Sequence, residues 1–304
     1  MRRIRLGSRG SMLAVAQSTW VQQQLMRHHA DLEVEFMVIK TSGDRFIDRP
    51  IASIGGKGVF TKEIEEALLA NQIDIAVHSM KDLPTELAPG LTIAAVPARE
   101  DARDVLVTRN HCALGDLPAG ARIGTGSLRR RAQLLYRRKD LHVTPIRGNV
   151  DTRLKKLDNA EVDALIMAAA GLKRIGREER IGEYLPDAIC VSAVAQGALA
   201  IETREEDVFT RELLRLLHDS RTFAEVSAER ALLARLGGGC QVPIGARARV
   251  VNEELSLIGV VTSPDGSGLC RGEISGPVRQ AVDLGQRLAD QLINQGAAQL
   301  ITSV

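Results

Sequence analysis

The sequence predicts an α/β protein: two similar α/β domains around a cleft, followed by a small α+β domain with a three-stranded sheet. Two echoes and one change of texture predict it. Arg122-Ile123-Gly124-Thr125-Gly126-Ser127 repeats the pattern of Arg5-Leu6-Gly7-Ser8-Arg9-Gly10-Ser11, a strand, a small-residue turn and a helix start. Val162-Asp163-Ala164-Leu165-Ile166 likewise repeats Ile73-Asp74-Ile75-Ala76-Val77, each after a helical stretch. A single approximate repeat of this kind implies a duplicated α/β unit rather than a solenoid. From about residue 220 the texture changes to a helix followed by three alternating segments. The 304 residues are enough for two or three domains with sizeable cores.

Residues 3–6 read as a strand and 12–26 as a helix capped by Ser11, with Leu13, Ala16, Trp20, Gln24 and Leu25 near one face. Residues 33–40 alternate toward a second strand. The glycine-rich, charged stretch 41–58 has no period, so a mobile loop over 42–58, a lid or a disordered segment, is expected there. A helix over 60–69 turns Phe60, Ile64, Ala67 and Leu68 inward. The nearly all-apolar run 73–77 suits a buried parallel sheet, and it runs into His78-Ser79-Met80-Lys81-Asp82-Leu83-Pro84. Strands follow at 91–96 and 104–108, and after the repeat's second start another at 142–146. Residues 97–103 and the small-residue stretch 192–200 read as two links, the second returning the chain to the first domain.

The C-terminal part opens with a helix over 222–236 whose apolar residues are Phe223, Val226, Leu232, Leu233 and Leu236. Gly237-Gly238-Gly239-Cys240-Gln241-Val242-Pro243 comes next, then alternating segments at 246–251, 255–262 and 269–274, with a hairpin signal at Pro264-Asp265-Gly266. A closing helix draws its apolar side from Val278, Val282, Leu284, Leu288, Leu292 and Ile293. The division expected is 1–97 with 198–218 as the first domain, 103–192 as the second and 220–304 as the third.

Composition narrows the partners. A net charge of +2 gives no overall pull toward nucleic acid or membrane, and 3% aromatic residues are too few for base-stacking platforms. Cysteines at 112, 190, 240 and 270 form no CxxC or CxxH pair, which argues against a zinc site or a disulfide framework and fits a reducing cytoplasm. Arg2-Arg3 followed by Met12-Leu13-Ala14-Val15-Ala16 imitates an export signal, but the apolar run is too short, and no stretch approaches a membrane span.

Four features carry chemistry. Cys240 follows three glycines that allow close approach of a large group, so its thiol is placed to hold a covalent adduct; a tight turn with a small buried cysteine is the plain alternative. Ser127-Leu128-Arg129-Arg130-Arg131 puts cations at the positive end of a helix, which costs stability unless an anion arrives. Guanidiniums grip carboxylates two-handed; a solvated basic face with Arg137, Arg138 and Lys139 is the alternative. Arg9, Arg147, Arg153 and Arg174 fall near strand ends, where open α/β sheets place ligands, and together they suit a small molecule with several carboxylates. Asp82, beside Lys81, is expected to be ionised and suited to stabilising a developing cation; an ordinary loop ion pair is the alternative. Gly55-Gly56-Lys57-Gly58 lacks the spacing of a phosphate loop, and Gly124-Thr125-Gly126 lacks the third glycine of a dinucleotide site. An anion-binding module without chemistry, with bare Cys240, and a nucleic-acid binder using Arg129 to Arg131 are the competing functions.

Five of these stretches together resemble the porphobilinogen deaminase family: Glu229-Arg230 through Gly237-Gly238-Gly239-Cys240-Gln241-Val242-Pro243-Ile244-Gly245, His78 through Pro84, Gly124 through Arg130, Arg147-Gly148-Asn149-Val150-Asp151-Thr152-Arg153, and Ala170-Gly171-Leu172-Lys173-Arg174. The resemblance runs in order from the first strand to the last helix. It implies two periplasmic-binding-protein-like α/β domains and a deaminating, head-to-tail condensation of four porphobilinogens into the linear tetrapyrrole hydroxymethylbilane. It implies a dipyrromethane cofactor joined by a thioether to Cys240, with Asp82 stabilising positive charge on pyrrole nitrogen. Lys81, Ser79, Thr125, Ser127, Arg129 and Arg130, with Asp82, would then bind the cofactor, and Arg9, Ser11, Gln17, Arg147, Arg153, Arg174 and Gln196 the substrate and growing chain. No metal, nucleic acid or membrane is expected, and the enzyme would act as a cytoplasmic monomer.

Overall fold

The computed structural model describes residues 2–45, 58–238 and 242–302. The chain begins with β1 (Arg2–Ser8), α1 (Met12–His28), β2 (Leu32–Val38), the short α2 (Ser42–Arg45), α3 (Lys62–Leu69), β3 (Ile75–Ser79) and β4 (Leu91–Ala95). Next come β5 (Asp104–Thr108), β6 (Arg122–Gly124), α4 (Leu128–Arg137), β7 (His142–Thr144), α5 (Val150–Asp158), β8 (Ala164–Ala168), α6 (Ala169–Arg174) and β9 (Glu183–Tyr184). Then follow β10 (Leu199–Arg204), α7 (Val208–Leu214), α8 (Ser220–Arg235), β11 (Ile244–Val251), β12 (Glu254–Thr262), β13 (Leu269–Pro277), α9 (Ala281–Asn294) and α10 (Ala297–Thr302). The chain forms two compact units, Met1–Arg99 with Ala198–Phe223, and Glu100–Gly197 with Ala224–Val304.

The first unit holds a five-stranded sheet in the order β2-β1-β3-β10-β4. β1 runs parallel to β2 and β3, whereas β10 is antiparallel to both β3 and β4. The sheet is therefore mixed rather than wholly parallel, and the run 199–204 is a central strand, where the sequence suggested only a link ending at 200. The apolar character of β3 still reports its burial on both faces, as a central strand requires. One side packs on α1 through Ile4, Leu6, Val21, Leu25, Ile75 and Val77; Ile64, Leu68, Ile73 and Ala76 form the core on the other.

The second unit repeats this plan with β7-β6-β8-β5-β9. Register makes the equivalence explicit: Leu6 and Gly7 face Ile75 and Ala76, as Ile123 and Gly124 face Ala164 and Leu165. The polar scaffold repeats as well. The Asp74 carboxylate accepts from the backbone N–H and guanidinium of Arg5, and Asp163 does the same for Arg122. Arg204 Nη1 donates to the Leu68 and Ile73 carbonyls, and Arg109 Nη1 to those of Leu157 and Val162. The Leu68 and Leu157 carbonyls already accept from the Asn71 and Ala160 N–H groups, so each arginine adds a second donor at a helix end and bridges it to a loop carbonyl, Ile73 or Val162.

The same unit contains the three-stranded antiparallel sheet β11-β12-β13. Leu232 of α8 and Leu288 and Leu292 of α9 crowd the Gly259 position on one face. The hairpin at residues 264–266 joins β12 to β13 as the turn residues indicate. Among the described residues, no helix is long and apolar enough to cross a membrane.

Three helix faces differ from the sequence expectation. The buried stripe of α1 is Ala14, Gln17, Ser18, Val21 and Leu25, and Trp20 is 41% exposed. Small residues let the helix approach the sheet, and Gln17 can be buried because Ser79 takes its amide. Phe223 on α8 and Val282 on α9 are exposed, while Ala281, Gly285 and Ala289 complete the inner face of α9. Within the expected loop over 42–58, residues 42–45 form α2, and residues 46–57 lie outside the described residues.

Candidate functional site

In the first unit the expected residues gather at the carboxyl ends of β1 and β3. Ser11 caps α1 by accepting from the Ala14 N–H at 3.4 Å. Arg9, in the turn before it, lays its guanidinium 4.2 Å from the centroid of the Phe60 ring. Gln17, buried on α1, donates from Nε2 to the Ser79 hydroxyl at 2.9 Å, so the last residue of β3 is tied to the helix beside it. The Met80 N–H donates to the Ala198 carbonyl at 3.0 Å, and the chain turns through a single helical turn over Met80–Asp82. Lys81 is half-buried and Asp82 is exposed at the tip of that turn. Behind it, His78 Nε2 lies 3.0 Å from Glu202 Oε2, both buried, and burial followed by the charge of Glu202 pushes the Glu65 carboxyl up.

In the second unit the equivalent edge is far more cationic. Ser127 caps α4 by accepting from the Arg130 N–H, and its own N–H donates to Thr125 Oγ1 at 3.2 Å. Arg129 and Arg130 are 4% and 6% exposed, so they are neither a solvated basic face nor a pair awaiting its first anion. Asp104 already supplies one. Its Oδ2 accepts from Arg129 Nη1 at 2.6 Å, and its Oδ1 from Arg130 Nε at 2.9 Å and Gln196 Nε2 at 2.8 Å. Burial alone would push the Asp104 carboxyl up, but the two guanidiniums override it and hold it well below the usual carboxylate range. Arg129 also donates to the Val191 carbonyl and Arg130 to that of Ile166. The Cys190 thiol, 3.3 Å from Asp104 Oδ2, is pushed up to about 12 by burial and by that carboxylate. It is a structural thiol rather than a nucleophile.

Three more of the expected arginines, Arg147, Arg153 and Arg174, lie in this unit. Arg153 donates from Nε to the Gly148 carbonyl at 2.8 Å. Gly148 adopts φ +107°, where a Cβ would also meet Thr152 at 2.7 Å, so glycine is required there. Burial, then repulsion from Arg130 and Arg147, pulls Arg153 down to about 10. Arg174, at the end of α6, donates to the Gly197 carbonyl at 2.5 Å and is pulled to about 10 by burial, against the opposing attraction of Glu100. At Arg153 like charges are held close together, an arrangement that favours the approach of an anion.

The structure thus draws Arg129, Arg130, Arg153 and Gln196 into one electrostatic neighbourhood, with Arg147 close enough to act on Arg153. Gln196 and Gln17, expected to touch ligand, have their amides bonded to Asp104 and Ser79. Asp104 escaped the sequence reading; two arginines on the inner face of a helix demand a buried acid, and Asp104 heads an otherwise apolar strand. Cys240 lies outside the described residues, which end at Gly238 and resume at Val242. Gly237 ends α8 with φ +65°, and the Gly238 N–H donates to the Leu233 carbonyl, a helix stop that accounts for the first two glycines.

Residues 4–212 match the family model described as porphobilinogen deaminase, dipyromethane cofactor binding domain, and residues 223–294 match porphobilinogen deaminase, C-terminal domain. The porphobilinogen deaminase of Syntrophotalea carbinolica is 49% identical over 301 residues, covering 99% of this chain and 96% of that protein. Those of Pelobacter propionicus and Syntrophus aciditrophicus are 48% and 50% identical over 303 and 298 residues, each with 97% of the relative covered and 100% and 98% of this chain. Among solved structures, the methionine binding protein MetQ matches with a TM-score of 0.46 at 12% identity, over 75% of this chain and 94% of that one.

Proposed function

The chain belongs to the porphobilinogen deaminase family, and on that premise we propose how its residues divide the family's reaction. It is a transferase with hydroxymethylbilane synthase activity, acting in tetrapyrrole biosynthesis on porphobilinogen with a dipyrromethane cofactor. Four porphobilinogens are condensed head to tail, and each addition releases ammonia.

The residues present fit such a cofactor. Each pyrrole unit carries an acetate and a propionate, and every carboxylate drawn out of water needs a cation. The observation that carries the reading is the surplus of guanidinium in the second unit: one carboxylate, Asp104, serves both Arg129 and Arg130, while burial and like charge disfavour the charge on Arg153. Arg129 and Arg130, with Lys81, Ser79, Thr125 and Ser127, would hold the cofactor's carboxylates, and Cys240 would anchor it through a thioether. When bound, the dipyrromethane supplies the primer that the incoming units extend.

Arg9, Ser11, Arg147, Arg153 and Arg174 would receive the carboxylates of substrate and growing chain, supported by Gln17 and Gln196. Asp82 is the assigned catalytic residue. As ammonia leaves an aminomethylpyrrole, positive charge spreads onto the ring nitrogen, and a carboxylate there lowers the barrier. The exposed position of Asp82 at the tip of its turn leaves it accessible to substrate. The reading assigns Asp82 to a domain of residues 1–97 and 198–218, the arginine cluster to 103–192 and the anchoring cysteine to 220–304. We further take the enzyme to act as a cytoplasmic monomer without nucleic-acid or membrane partners, as its net charge of +2 and the free thiols of Cys112, Cys190 and Cys270 suggest.

Intact-mass measurement of the purified protein tests the central assignment. A two-pyrrole adduct that disappears in Cys240→Ser supports it. Bare polypeptide in active preparations, or an adduct retained in the variant, rejects the anchor.

A further inference from the structure

The duplication inside this chain provides a control for the arginine cluster. Asp104 faces Ala168 across β5 and β8; at the equivalent place in the first unit, Leu199 faces Ser79 across β10 and β3. The helices align by their caps, Ser11 and Ser127, each accepting from the N–H three residues on. Arg129 and Arg130 therefore correspond to Leu13 and Ala14. Where the second unit carries arginine, arginine and aspartate, the first carries leucine, alanine and leucine on the same strand order.

The fold is thus built without ions at these three positions, so the fold does not call for them. Buried ion sets seldom stabilise more than apolar residues of similar volume. What the trio does have is order and surplus charge. Asp104 accepts from Arg129 Nη1, Arg130 Nε, Gln196 Nε2 and the Cys190 thiol, which fixes both guanidiniums while neutralising only one of them.

We propose that Asp104 is a positioning residue for cofactor capture: it locks Arg129 and Arg130 in place and leaves one positive charge of the pair for the carboxylates of the dipyrromethane. The inference rests on the reading that Arg129 and Arg130 hold that cofactor.

Asp104→Asn tests it in the full-length chain. The new amide NH2 must face either Arg129 and Cys190 or Arg130 and Gln196, donor against donor, so one arginine is released. After incubation with porphobilinogen, the fraction of chains carrying the two-pyrrole adduct, read by intact mass, should fall about tenfold or more, with far-UV circular dichroism unchanged. Asp104→Glu keeps the charge and displaces the carboxylate by one methylene; it should also load poorly, and decides the matter if the asparagine variant does not fold. Normal loading of a folded Asp104→Asn, or of Asp104→Glu, overturns the proposal.

A triple variant that copies the first unit, Asp104→Leu with Arg129→Leu and Arg130→Ala, separates this from the reading beneath it. It should fold with a urea midpoint no lower than the parent and carry no adduct. If it folds and loads normally, Arg129 and Arg130 do not hold the cofactor, and the reading itself falls. If it loses stability, the trio serves the fold and the positioning role is rejected.

Discussion

Replacing Arg153 with glutamine should make the cofactor-free protein more stable while weakening its grip on carboxylates. Burial, with Arg130 and Arg147 nearby, pulls the Arg153 guanidinium down to about 10. At about 1.4 kcal/mol per tenfold change in protonation, the folded state holds that cation at a cost on the order of 3 kcal/mol. Glutamine removes the charge and loses the hydrogen bond to the Gly148 carbonyl, worth about 1 kcal/mol. The net gain should be on the order of 1–2 kcal/mol. Because the folded state releases this proton before the unfolded state does, the parent's handicap is fully present below pH about 10 and shrinks as pH rises further. The advantage of the variant should therefore be greatest near neutrality and narrow in strong alkali. Urea unfolding followed by far-UV circular dichroism, with both proteins also carrying Cys240→Ser, gives the comparison. A variant less stable than its parent by about 1 kcal/mol or more at pH 7 would show that Arg153 is satisfied without a ligand, and the case for a prepared anion site would fail.

Asp82→Ala should lower turnover by about a hundredfold or more while leaving the cofactor attached, as removal of a charge stabiliser does; steady-state rates together with intact mass decide it, and near-normal turnover refutes the role. Arg147→Ala should stall substrate entry or elongation, seen as missing or accumulated enzyme–substrate species by mass, and an unchanged ladder would remove Arg147 from the site. Asp74 and Asp163 occupy equivalent places, with side-chain exposures of 15% and 33%. Asp74→Asn should cost about 2–3 kcal/mol and Asp163→Asn about 1 kcal/mol in urea unfolding. Both carboxyls are held below their usual range, Asp74 by its arginines against the opposing effect of burial and Asp163 chiefly by hydrogen bonds from Arg122. Their contribution is present above the ordinary carboxylate range and is lost as pH falls through the lowered values, so the two variants should converge with the parent in acid. Equal losses at neutral pH would mean that burial does not set the strength of these pairs.

Much of this protein can be read along the chain because much of it is local. The two starts of the repeat, the caps at Ser11 and Ser127, the apolar runs of β3 and β5 and the hairpin at residues 264–266 each depend on neighbours a few residues away. Residue type and spacing report such features directly. The arginines before and after those elements were legible for the same reason, as cations in places where the chain does not favour them.

Packing decided the rest. Trp20 faces outward because Gln17 found a partner in Ser79, 62 residues away, and no hydrophobic period encodes that bond. β10 enters the first sheet antiparallel between β3 and β4, a pairing across more than a hundred residues. Above all, the sequence displayed Arg129 and Arg130 as unsatisfied charge, and folding brought Asp104 to them across 25 and 26 residues. Periodicity records which face of an element is apolar, whereas the partner of a buried charge is set by which strands and helices meet, so the number of charges was visible in one dimension and their balance only in three.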